Sequence, residues 1–170
     1  MKKSIGLWQL MGFATTSVAG TILHFLYDWL GRAKWIAPFT SINESTWEHM
    51  KLIFWPMLIL AVIENRFFKD RLDFWCVKAK GIFLGTALVP MLFYTYNGAF
   101  GKSPDWINIA IFFLAAAISY IYQNNQFNNC SKACTSKIAI SLLCIVGLMF
   151  AIFTFFPPQL PLFIDPVAIT

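Results

Sequence analysis

Apolar residues gather into five stretches, at roughly 5–27, 51–63, 81–100, 106–122 and 138–156, and that spacing constrains the fold more than any other feature. A helix needs roughly 17–25 predominantly apolar residues to cross a bilayer. Four of the five stretches meet that length. The second, 51–63, has only thirteen residues. It reaches spanning length if the polar residues before it, 43–51, are helical and form its outer end. Ser41 or Asn43 then caps that helix, since Ser41-x-x-Glu44 fits a capping box. Pro56 and Pro90 lie inside stretches and are expected to kink them, and Pro157-Pro158 to stop the fifth.

Composition agrees with a membrane-spanning bundle. The chain is 58% hydrophobic and only 12% charged over 170 residues, where a soluble domain carries about 25% charge. The expected fold is therefore all-α. It is a polytopic bundle of five transmembrane helices in a single integral membrane domain, 1–170, with a proline-rich tail at 157–170. The net charge of +5 is read as membrane orientation rather than nucleic-acid binding. Lys2-Lys3, an apolar run and Ser17-Val18-Ala19 before Gly20 imitate a cleavable signal peptide. The run continues past Ala19, so the segment is read as a retained helix.

Placing the N-terminus inside puts nine basic residues on inner segments: Lys2, Lys3, Arg66, Lys69, Arg71, Lys78, Lys80, Lys132 and Lys137. Outer segments hold four, Arg32, Lys34, Lys51 and Lys102. That bias predicts a cytoplasmic N-terminus and an outer C-terminus in a bacterial cytoplasmic membrane. Trp8 and Trp75 then fall near the inner interface, and Trp29, Trp35, Trp47 and Trp106 near the outer one. Cys76, Cys130 and Cys134 lie in or beside inner loops and Cys144 in the fifth span. All four are expected as free thiols, because a cytosolic side is reducing. Cys130-x-x-x-Cys134 is too sparse a spacing to read as a metal site.

Against this apolar background, 43–51 stands out, with Glu44, Glu48, His49 and Lys51 in nine residues. Ionisable groups near lipid are costly and need a function or tight pairing. The other histidine, His24, ends the first stretch with Asp28 four residues on. Those two share a helix face, along with the small residues Ser17, Gly20 and Thr21, which let another helix approach. Ser45, Glu48 and His49 occupy one arc of about 100° on the second helix, flanked by Glu44 and Lys51. The two faces can meet. His24, Asp28, Glu44, Glu48 and His49 are thus candidate ligands for a divalent metal such as zinc, and Glu48 and His49 a candidate catalytic pair for deprotonating water. Blander readings compete. His24–Asp28 also reads as a helix-end pair, Glu44, Glu48 and Lys51 as a solvated helix start favoured by the macrodipole, and Trp47 as an interface anchor.

No acidic or basic residue lies mid-span, which disfavours an ion-driven carrier. Gly-x-Ser-x-Gly and His-Glu-x-x-His are absent. The tail from Pro157 to Pro166 is proline-rich yet apolar. It is expected to lie on the protein or interface, with a lid over the cluster, contacting it through Asp165, as the sharper alternative.

Three blocks carry a resemblance. His24-Phe25-Leu26-Tyr27-Asp28-Trp29 with Gly31, then Asn43-Glu44-Ser45-Thr46-Trp47-Glu48-His49-x-Lys51, then Pro157-Pro158-x-x-Pro161-Leu162-Phe163-x-Asp165-Pro166 resemble a family of small bacterial integral membrane proteins of unknown function. The resemblance spans nearly the whole chain. It implies membrane location and these shared blocks, and it brings no activity with it. Three functions remain open from the residues. One is a metal-dependent hydrolase acting on a lipid or headgroup-level substrate. The others are a module binding or transporting a small solute or lipid, and a structural subunit with a polar latch. Membrane lipid is the expected partner and nucleic acid is not.

The nine-to-four charge bias generates a direct test of orientation. Single cysteines replacing Lys102 and Lys132 are expected to react with membrane-impermeant reagents from the outer and inner sides respectively; the reverse pattern overturns the orientation.

Overall fold

The computed structural model describes residues 2–68, 70–129 and 134–165. Each apolar stretch is one α-helix: α1 Lys2–Trp29, α2 Thr46–Glu64, α3 Phe74–Phe100, α4 Asp105–Asn128 and α5 Ser136–Phe155, followed by a 3-10 turn at Pro161–Phe163. The chain is all-α, and the five helices are long and apolar enough to cross a membrane. α2 and α3 continue through Pro56 and Pro90. α5 ends before Pro157-Pro158, which lack the N–H groups to extend it.

α1 stops where Gly31 takes φ +63°, a left-handed conformation that costs glycine little. The Arg32 and Gly31 N–H groups then donate to the Tyr27 and Asp28 carbonyls at 2.8 and 3.1 Å, a Schellman closure. The start of α2 corrects the sequence expectation. Asn43, Glu44 and Ser45 are not helical, and the helix opens at Thr46 with Ser45 as N-cap, its Oγ accepting from the Glu48 N–H. Neither Ser41 nor Asn43 caps it. Ser41 Oγ donates instead to the Asn43 carbonyl, and the Ser45 N–H to Asn43 Oδ1. The cap pattern Ser45-x-x-Glu48 was equally present in the sequence, and the nineteen-residue helix that results is long enough without 43–45.

α1, α2, α3 and α4 form a ring in which each helix packs on the next and α4 returns to α1, while α5 lies outside against α2 and α3. α2 is the hub, packing on α1, α3, α5 and the 3-10 turn. Its start is held by Lys51, whose Nζ is fully buried. That ammonium donates to the Ala37 carbonyl at 2.9 Å and Thr154 Oγ1 at 2.8 Å, and meets Glu48 Oε2 at 2.6 Å. Three donors find three acceptors, on the connection after α1, on α5 and on α2 itself. Glu48 Oε2 also accepts from the Ile42 N–H. A second buried pair, Glu64 with Lys78, joins the far end of α2 to α3.

The expectation of four free thiols is overturned. Cys76 and Cys134 form a disulfide, with Cα atoms 5.9 Å apart. They meet because α5 begins against the start of α3, where Ser136 Oγ donates to the Leu72 carbonyl. Cys144 is free and exposed, and Cys130 lies outside the described residues.

Removing one member of a buried pair strands the other charge, at a cost of about 3–5 kcal/mol. Lys51→Ala is therefore expected to lower the unfolding free energy of the purified chain by that amount, and Lys51→Met with Glu48→Leu to recover most of it. Denaturant unfolding of the three proteins measures both.

Candidate functional site

The residues between α1 and α2 turn twice before the helix starts, and those turns decide which side chains face inward. The Asn43 turn and the Ser45 cap put Glu44 just outside the helix, beside His49, which lies one turn into it. The Glu44 N–H donates to Asp165 Oδ2 at 3.4 Å, so the tail reaches this place as well. The tail packs by its rings: Phe163 lies 4.7 Å from Trp47, centroid to centroid. Trp47 itself is buried among Phe150, Phe153 and Phe163; it is a core residue rather than an interface anchor.

Three of the five candidate ligands come together. His24 on α1, Glu44 just before α2 and His49 on α2 each offer one atom, and these atoms lie within 4.8 Å of one another. His24 Nε2 is 3.7 Å from Glu44 Oε1, and His49 Nε2 is 3.5 Å from Glu44 Oε2. The imidazole centroids are 5.3 Å apart. The other two candidates point elsewhere. Asp28 is exposed and accepts from Arg32 Nε at 2.9 Å. That partner holds the Arg32 guanidinium above its already high usual range. Glu48 is spent on Lys51 and Ile42, as described above.

The tautomer of His49 follows from one contact. Its Nδ1 lies 2.9 Å from the Ser45 carbonyl oxygen, which can only accept. Nδ1 must carry the proton, so in the neutral ring Nε2 presents a lone pair toward the Glu44 carboxylate. Two acceptors at that distance repel unless a proton or a cation lies between them. Fixing one imidazole nitrogen on a carbonyl is also how metal-ligating histidines are oriented. Four ligand atoms around a tetrahedral zinc at 2.0–2.1 Å stand about 3.3 Å from one another. Here His24 and His49 face different oxygens of Glu44, at 3.7 and 3.5 Å, and one atom from each residue lies within 4.8 Å of the others. The donor set, two nitrogens and one oxygen, is of the kind a zinc-type ion takes.

His24, Glu44 and His49 all line one cavity of about 560 Å³ bounded by α1, α2, α3 and α4. This is within the range of small-molecule sites. Its interior is apolar, with Leu52, Val89, Phe93, Ile111 and Phe112 among the lining residues. Gly20 and Thr21, expected on the His24 face, line it too. Sequence reasoning missed its opposite rim, where Asn97, Lys102, Ser103 and Asn108 also line the cavity. The Ser103 N–H donates to Asn97 Oδ1 at 2.8 Å and Ser103 Oγ to Asn108 Oδ1 at 2.7 Å. Two asparagines bracketing a short turn between apolar stretches were the available signal.

Residues 1–169 match the model of DUF6512, a family of unknown function. No curated protein and no solved structure matches the chain.

The wall between α1 and α2 depends on Gly20. A Cβ there would stand 2.5 Å from Phe112 Cζ and 2.7 Å from the Leu52 carbonyl oxygen. Overpacking of this kind costs about 1–3 kcal/mol, so Gly20→Ala is expected to destabilise the chain by that much. Gly98, with nothing within 4 Å of its added Cβ, should accept alanine without loss. Thermal unfolding of the two variants provides the comparison.

Proposed function

The chain belongs to DUF6512, and for this member of a family without known function we propose a multi-pass membrane hydrolase dependent on a divalent metal. Its ligands are His24, Glu44 and His49, and its substrate is an amphiphile whose scissile bond lies at headgroup level. The observation that carries the reading is the meeting of two imidazoles and a carboxylate at an open cavity with an apolar interior. A dry, fully paired cluster would have favoured a structural latch. Three protein ligands with an open position are the pattern of catalytic rather than structural zinc. A zinc ion in such a site lowers the pKa of a water to about 7. With an ion held by His24, Glu44 and His49, a water activated there would bond through its oxygen to the electrophilic centre of the ester while the bond to the leaving oxygen breaks and that oxygen takes the water's proton. Glu48, bound to Lys51, is not free to relay it, and Glu44 would be held as a ligand.

In this reading the N-terminus is cytoplasmic and the metal site lies at the outer face. The Cys76–Cys134 bridge stands at the opposite end, with most of the basic residues. A disulfide favours a non-reducing side and the charge bias favours the cytosol. We take the charges as deciding, because they act on the loops during insertion, before the thiols pair.

The test is metal content. Chain purified after growth with added zinc is expected to hold about one zinc per chain, as catalytic zinc sites do. His24→Ala and His49→Ala should each lose it, and Glu48→Gln should keep it. Zinc retained by the histidine variants, or absent from the unmodified chain, overturns the proposal.

A further inference from the structure

The cavity has two kinds of wall, and one of them is shared with the outside of the bundle. Phe25 on α1 and Ile109 and Phe113 on α4 all line it, yet they are 48%, 58% and 39% exposed. Ile109 and Phe113 are four residues apart and share a helix face. α1 and α4 are neighbours in the ring. The seam between them is thus apolar on its outer surface and continuous with the apolar interior of the cavity. In a membrane such a surface faces hydrocarbon.

The opposite rim is built to hold an anion. Lys102 lines the cavity and makes no ion pair among the described residues. Beside it, Ser103 Oγ donates to Asn108 Oδ1. That bond spends the amide oxygen and leaves the Asn108 NH₂ group turned to other partners. Asp105 and Glu44 are the acidic groups that also face the cavity. With Lys102 they leave one negative charge in excess, and a bound divalent ion reverses that to one positive. The combination of a cation, an oriented amide donor and a metal suits a phosphate group.

We infer that the cavity takes the acyl chain of a phosphate-bearing amphiphile, which enters sideways between α1 and α4 and leaves its phosphate between Lys102, Asn108 and the His24–Glu44–His49 site. This deepens the membrane and metal-site reading above and rests on it. The chain of the amphiphile lies along Phe93, Ile111 and Phe112, and Ile109 and Phe113 form the doorpost on α4. Because the phosphate sits at the mouth, the bond offered for hydrolysis is the phosphoester itself or the acyl ester next to it.

The full chain in nanodiscs of phosphatidylcholine tests this, with lysophosphatidic acid, monoacylglycerol of the same chain length and inorganic phosphate as probes. Zinc-loaded protein is expected to bind lysophosphatidic acid at least about tenfold more tightly than either monoacylglycerol or inorganic phosphate, a difference of about 1.4 kcal/mol. Lys102→Ala and Asn108→Ala should erase the preference over monoacylglycerol while zinc content is unchanged. Ile109→Trp, a substitution on an exposed position, should slow entry of both amphiphiles about tenfold and leave phosphate binding alone. Equal affinity for lysophosphatidic acid and monoacylglycerol overturns the phosphate assignment. Equal affinity for lysophosphatidic acid and inorganic phosphate overturns the role of the chain. Unchanged entry rates in Ile109→Trp overturn the lateral route. Zinc content is read separately in every sample, so a protein that holds zinc but shows no preference sinks this inference and not the metal site. A protein without zinc that still prefers lysophosphatidic acid sinks the metal site and not the cavity's substrate class.

Discussion

Lys51 carries its charge to a point where no water reaches it, and the way that charge is satisfied determines the rest of the site. Its three donors are met by the Ala37 carbonyl, Thr154 Oγ1 and Glu48. Each acceptor belongs to a different part of the chain. One contact ties down the connection between α1 and α2, one reaches α5, and one closes within α2. A buried ammonium with a single partner would cost several kcal/mol; one with three partners becomes a fixed point around which those segments must register. The cost of leaving any of the three unmet is what makes the arrangement specific.

The consequence for chemistry is a division of labour between neighbours. Glu48 is drawn toward Lys51, and the next residue, His49, is turned about 100° away. The same capping turn that frees Ser45 Oγ for the Glu48 N–H leaves the Ser45 carbonyl facing His49 Nδ1. That carbonyl fixes the imidazole tautomer and aims Nε2 at Glu44. The Glu48–Lys51 ion pair and the His24–Glu44–His49 group thus interleave along the same few residues.

The cavity depends on a similar economy of contacts. Gly20 lets α1 approach the α2 backbone and Phe112, and α3 and α4 complete the ring. The turn between α3 and α4 supplies the polar rim through the Asn97–Ser103–Asn108 hydrogen bonds. Gly101, at φ +85°, gives that turn a backbone conformation that a side chain rarely adopts. Apolar interior and polar mouth are therefore separate constructions, one from helix faces and one from a loop.

By itself the sequence determined the helices, because apolar length and helical periodicity are local properties that any window of residues displays. It also brought His24 and His49 to the same end of the bundle, since one closes α1 and the other opens α2. Only the tertiary structure decided which carboxylate joined them. Glu44, Glu48 and Asp28 have the same chemistry, and the choice among them was made by contacts of very different range: Thr154 and Ala37 fix Lys51 and through it Glu48, while Asp28 is taken by Arg32 four residues on. The Cys76–Cys134 bridge, spanning 58 residues, was equally beyond a local reading, because orientation rules count charges on loops and do not say which loops touch. What a residue faces is set by the energy of its alternatives, and those alternatives exist only once the chain has packed.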